Sequence, residues 1–91
     1  MIADVDITDP ERYSDYTGPV PESIGRHGGR FLVRGGDTTV LEGDWQPRRL
    51  VVLEFPDVDA ALTWYHSDSY QELAKIRWSA STANFIVVTG V

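Results

Sequence analysis

The chain has 91 residues, a formal net charge of −6 from 14 acidic and 8 basic side chains, and no cysteine. That length makes a single domain, residues 1–91, and the absence of cysteine excludes disulfides, thiolate metal sites and cysteine nucleophiles. The acidic balance would repel a phosphate backbone, no apolar run approaches the ~20 residues of a membrane span, and no leader-like segment opens the chain; nucleic-acid and membrane partners are not expected, and the cytoplasm is the default compartment.

Ile2 to Thr8 reads as a strand, because Ala3, Val5 and Ile7 alternate with Asp4, Asp6 and Thr8. Asp9 then offers a helix cap, Pro10 fits the first helical position, and Glu11 suits the positive end of the helix dipole. Tyr13, Tyr16, Val20 and Ile24 form an apolar stripe. Gly18, Pro19 and Pro21 interrupt it, which predicts a kink or two helical pieces.

The stretch HGGRFLVRGG, His27 to Gly36, follows. A phosphate loop would place its glycines between a strand and the start of a helix. Here both glycine pairs flank a strand, RFLVR, and the first follows a helix, so they punctuate backbone rather than bind a ligand. TVLEG, Thr39 to Gly43, reads as an edge extension or hairpin arm. RRLVVLEF, Arg48 to Phe55, is the plainest strand. Pro56 stops it, and Asp57 caps a helix with a stripe of Val58, Ala61, Leu62 and Tyr65. Ser69 with Glu72 reads as a capping box that restarts a helix through Leu73, Ile76 and Ala80. Ala83 to Gly90 is the last strand.

Strand, helix, strand, strand, helix, strand is the α+β, ferredoxin-like order: a four-stranded antiparallel sheet with both helical regions on one face. Leu50 and Val52 oppose Val51, Leu53 and Phe55 along the third strand, and Ile86 and Val88 oppose Phe85 and Val87 along the fourth. Strands apolar on both sides are usually covered on both sides. Two helical regions cover only one, so a second copy of the chain is the expected cover for the other.

The segments DPERYSDY (Asp9 to Tyr16), GGRFLVRGG (Gly28 to Gly36), LEGDWQPRRLVVLEFP (Leu41 to Pro56) and AALTWYHSDSYQEL (Ala60 to Leu73), with Arg77, resemble in order and spacing the uncharacterised family called domain of unknown function 1330. The resemblance covers nearly the whole chain. It implies membership of the dimeric α/β-barrel superfamily, in which two ferredoxin-like subunits set their sheets face to face. Related families there include cofactor-free monooxygenases, lactone isomerases and haem enzymes, but kinship of fold does not transfer a reaction. No pattern in this chain matches any of them, and no cofactor is expected.

Residue parity supplies the candidate site. If Ala3, Val5 and Ile7 face the helices, then Asp4 and Asp6 face the partner, and the register that keeps Phe31, Val33, Val51, Leu53 and Phe55 under the helices sends Arg34 and Glu54 to the barrel interior. Charges enclosed there must be paired. They form internal ion pairs, a wet barrel mouth, or the polar end of a mostly apolar pocket for a small organic ligand, with Arg34 holding an anionic group and Glu54 as the candidate base. Tyr16 and Tyr65 are candidate wall or hydrogen-bonding partners, and Trp64 a weaker one; as core residues first, Trp64, Tyr65, Tyr70 and Trp78 need no ligand. His27 could join Asp4, Asp6 or Glu54 around a metal, but no ligand spacing supports it and none is expected. No nucleophile-elbow pattern frames a serine. Two functions fit: a cofactor-independent enzyme or binding protein for a small organic molecule, and a non-catalytic dimeric interaction or stress-related protein with a packed interior.

Overall fold

A computed structural model describes residues Met1–Val91 as β1 (Ile2–Ile7), α1 (Pro10–Thr17), α2 (Val20–Gly25), β2 (Arg30–Arg34), β3 (Leu50–Glu54), α3 (Val58–His66), α4 (Asp68–Ala80) and β4 (Ser81–Ile86). The strands make one antiparallel sheet in the order β2-β3-β1-β4, the ferredoxin-like topology expected from the element order. Each helical region appears as two helices. The molecule measures 36 × 36 × 16 Å, thick enough for one sheet and one helical layer, so the second sheet face is bare.

Local chemistry sets most boundaries where the sequence puts them. Asp9 caps α1, its Oδ1 accepting from the Arg12 backbone N–H at 3.1 Å, and Pro10 occupies the first turn. Gly18 and Pro19 separate α1 from α2, yet Tyr13, Tyr16, Val20 and Ile24 all stay buried across the break. Asp57 Oδ1 accepts from Ala60 N–H at 2.8 Å and starts α3. The glycines after α2 serve backbone geometry. Gly28 has φ +76°, and a Cβ on Gly29 would lie 2.6 Å from a Phe55 ring carbon and 2.8 Å from Ile24 Cγ2.

Four expectations are corrected. TVLEG is neither strand nor hairpin arm: residues 35–49 form an irregular connection from β2 to β3 and add no strand to the sheet. Ser67, not Ser69, caps α4, its Oγ accepting from Tyr70 N–H at 3.2 Å while donating to the Trp64 carbonyl at 2.7 Å. β4 starts at Ser81 directly after α4 and stops at Ile86, which pairs with Ile2, the first residue of β1. Trp64 rather than Leu62 carries the buried face of α3, and Tyr70, Ala74, Arg77 and Ala80 rather than Leu73 and Ile76 carry that of α4.

The core between sheet and helices is aromatic. Trp64 stacks on Tyr70 with ring centroids 4.0 Å apart and on Phe55 at 5.4 Å, while its indole N–H donates to Ser23 Oγ at 3.0 Å. Tyr16 and Tyr70 join their hydroxyls at 2.7 Å inside the same cluster.

Candidate functional site

One residue decides where the candidate arginine goes. In β2, Arg30 pairs with Glu54 and Phe31 with Leu53, but Val33 then pairs with Val52 and Arg34 with Val51. Leu32 and Val33 together oppose Val52, a β-bulge that reverses parity for the rest of the strand. Val51 also pairs with Ala3, whose side chain is buried under the helices, so Arg34 lies on the helix side. The expected register is thereby corrected twice: Arg34 does not share a face with Glu54, and Val33 sits opposite Val52 on the bare face.

Glu54 finds a different partner. Its Oε1 accepts from Arg30 Nε at 2.8 Å, and both side chains are more than half exposed (52% and 70%). The bare face holds a second polar pair, which parity did bring there. Asp4 accepts from the Trp45 indole N–H at 2.8 Å and from the Arg48 backbone N–H at 2.9 Å. The Trp45 hydrogen bond is the leading cause that holds the Asp4 carboxyl below its usual range, assisted by the backbone of Arg48 and Arg49 against a desolvation effect of opposite sign. That face also carries Asp6, Thr82 and Asn84, beside an aliphatic strip in which Leu32, Ile86 and Val88 are exposed.

A smaller, partly open space lies on the other side, between sheet and helices. A cavity of about 40 Å³ is lined by fifteen residues, eleven of them hydrophobic, including Val5, Tyr13, Val20, Phe31 and Phe85. Tyr16, Trp64 and Arg34 of the candidate set line it, whereas Tyr65 stands one ring behind, 5.7 Å from Phe85 and 5.5 Å from Tyr70. Arg49 and Arg77 also line it, and no acidic residue does. Arg34 lies over the Phe31 ring at 4.6 Å, Arg49 over Tyr13 at 5.9 Å, and Arg77 over Phe85 at 5.1 Å.

Arg77, which the sequence marked only through the family resemblance and to which it attached no role, belongs to this cleft. It is 4% exposed and makes no ion pair. Its Nε and that of Arg49 are buried without a hydrogen-bond partner. Burial works against its cation, the phenols of Tyr70, Tyr16 and Tyr65 favour it, and the net direction is upward, so it remains charged. Burial above all, and the mutual contact for Tyr16, push the Tyr16 and Tyr70 phenols well above their ordinary value. Both are neutral at physiological pH and bring no counter-charge. His27 lies apart, its Nδ1 3.1 Å from the Ser23 carbonyl oxygen at the end of α2.

The family model described as Domain of unknown function (DUF1330) matches residues 1–91. A crystal structure of a protein of unknown function from Rhodopseudomonas palustris superposes with a TM-score of 0.79 at 20% identity, covering 99% of this chain and 79% of that one. That likeness concerns the fold. No curated protein matches the chain at a significant level. No helix is long and apolar enough to cross a membrane.

Proposed function

The chain belongs to the DUF1330 family, whose description names no activity, and from that premise we propose that it binds a small organic molecule in the cleft between sheet and helices, as a homodimer joined through its bare sheet faces. The carrying observation is the cavity of about 40 Å³ with a predominantly hydrophobic lining and three arginines around it. Enclosed apolar space with a few convergent polar groups is the usual form of a small-molecule site. Arg34 and Tyr16 remain site residues at this cleft. Trp64, with its indole N–H already engaged by Ser23, serves as wall, and Tyr65 supports Phe85 from behind. Glu54 belongs to the outer face, where its pairing with Arg30 leaves it no part in the cleft. Neither a cofactor nor a metal enters this reading.

The homodimer reading rests on the aliphatic strip of the bare face, where Leu32, Ile86 and Val88 are each more than half exposed. Ligand binding is tested by recording amide and side-chain NMR spectra while titrating small organic molecules in charged and neutral pairs, acetate with acetamide first. The expected result is perturbation confined to Val20, Phe31, Val51 and their neighbours around the cleft. Perturbation confined to Arg30, Glu54 and Ile86 would move the site to the outer face and end the proposal.

A further inference from the structure

Arg77 poses a problem in charge balance. An ionised group inside a protein is normally paired or hydrogen-bonded, because taking a charge out of water is expensive. Arg77 is 4% exposed, has no carboxylate partner, and leaves its Nε unsatisfied. The tyrosines around it are neutral. Arg49 has the same unmet Nε. Both border one cavity, which Arg34 also lines and which no aspartate or glutamate lines. In a chain with a net charge of −6, three of its eight cationic side chains meet at this one cleft without an acid. The sign of the local field is the reverse of the whole.

Exposure falls along the set, from Arg34, exposed, through Arg49, half-buried, to Arg77, buried. Cations around one cleft attract an anion, and the charge-assisted hydrogen bond is strongest at the most desolvated of them. The volume limits the size. One water needs about 10–15 Å³ of such space, so about 40 Å³ holds roughly three to four heavy atoms, the size of a carboxylate with a short aliphatic stub. The hydrophobic lining suits an aliphatic remainder better than a further set of polar oxygens.

We infer that the cleft is an anion site for a short-chain carboxylate, which meets Arg77 and Arg49 at its charged end and the Val20, Phe31 and Val51 walls with its aliphatic part. This rests on the reading that the cleft takes a ligand and adds the chemical class. Guanidinium groups match a carboxylate's two oxygens in a planar fork. The unmet Nε groups are the donors that such a ligand would satisfy.

The test uses acetate, acetamide and inorganic phosphate at equal ionic strength, read by melting temperature and by the Arg Nε–H resonances in nitrogen-15 spectra. Acetate is expected to raise the melting temperature and shift the Arg77 and Arg49 Nε–H signals, with acetamide and phosphate leaving both in place. Arg77→Gln should weaken acetate binding about tenfold or more, the loss of a charge-assisted pair. Should that variant not fold, Arg49→Gln carries the same comparison with a smaller loss. A cleft response to acetamide without one to acetate would leave ligand binding standing and overturn the anion assignment. Equal responses to phosphate and acetate would overturn the carboxylate class. Silence from both acetate and acetamide would remove the anion site and the ligand cleft together.

Discussion

Tyr70, Ala74 and Arg77 follow one another at helical spacing along a single face of α4, and all three are buried. An arginine in phase with an apolar stripe is the signal that would have drawn attention to this position. Arg77 follows Leu73 by four positions and precedes Ala80 by three, so it stands beside the stripe read through Leu73, Ile76 and Ala80, about 100° round the helix from Ile76. Long aliphatic residues at the stripe's margin disguised the phase: Leu73 and Ile76 are partly buried against the core. Asp4 shows the opposite case, a residue whose face was legible from alternation while its partner, forty-one positions away on Trp45, was not. Its depressed carboxyl yields a pH prediction. A group held below its unfolded value stabilises the fold above the ordinary Asp range near about pH 4, and that contribution is lost as pH falls through the folded value. Asp4→Asn keeps an acceptor oxygen for Trp45 but removes the charge. The wild type should therefore melt above the variant by a constant margin from neutral pH down to about pH 5, and the margin should close under stronger acid. A margin that grew on acidification would reverse the sign and discard the assignment.

Elements were legible where a cap or breaker fixed them, and less so where two similar signals stood close together. Ser67 and Ser69 both precede the apolar run of α4, and Glu72 three residues after Ser69 imitates a capping box. In the fold Glu72 pairs with Lys75 at 2.9 Å, and Ser67 takes the capping role because its extended backbone sits at the junction with α3. Ser67→Ala should accordingly lower stability by about 1 kcal/mol in urea denaturation, whereas Ser69→Ala should be nearly neutral. Equal losses at both positions would count against a single cap. The bulge in β2 is the harder lesson. All five residues of RFLVR form the strand as expected, yet the added residue at Leu32 sends the last arginine through the sheet. Strand alternation is reliable only while the ladder is regular, and nothing in RFLVR marks an irregularity: the glycines that would do so lie outside it. The ferredoxin-like order was therefore readable, while the pairing of Arg34 with Glu54, which depended on one unbroken register, was not.

At the scale of the whole molecule, the two polar ties on the bare face leave an aliphatic strip between them. Arg30–Glu54 lies at one side and Asp4–Trp45 at the other; Ile2, Leu32, Val33, Val52 and Ile86 occupy the same face. A two-fold axis through that strip would set each aliphatic residue against its counterparts, as an isologous interface requires. Two copies each carrying −6 repel one another, so the attraction has to come from apolar burial rather than from net charge. Salt then has a definite sign: by screening the repulsion it should tighten the dimer, where an interface held by ion pairs would loosen. Sedimentation equilibrium should give about twice the 10.2 kDa of one chain, with the dissociation constant falling as salt is added. Leu32→Asp should release the monomer, because it would bury an unpaired carboxylate against the aliphatic strip of the other copy, and Ile86→Asp, at the opposite end of the strip, should act in the same direction. Neither residue lines the inner cleft, so the monomers so produced should retain the acetate response. A wild-type chain that sediments as a monomer at every concentration, or a dimer indifferent to both aspartates, would leave the bare face without a partner of its own kind.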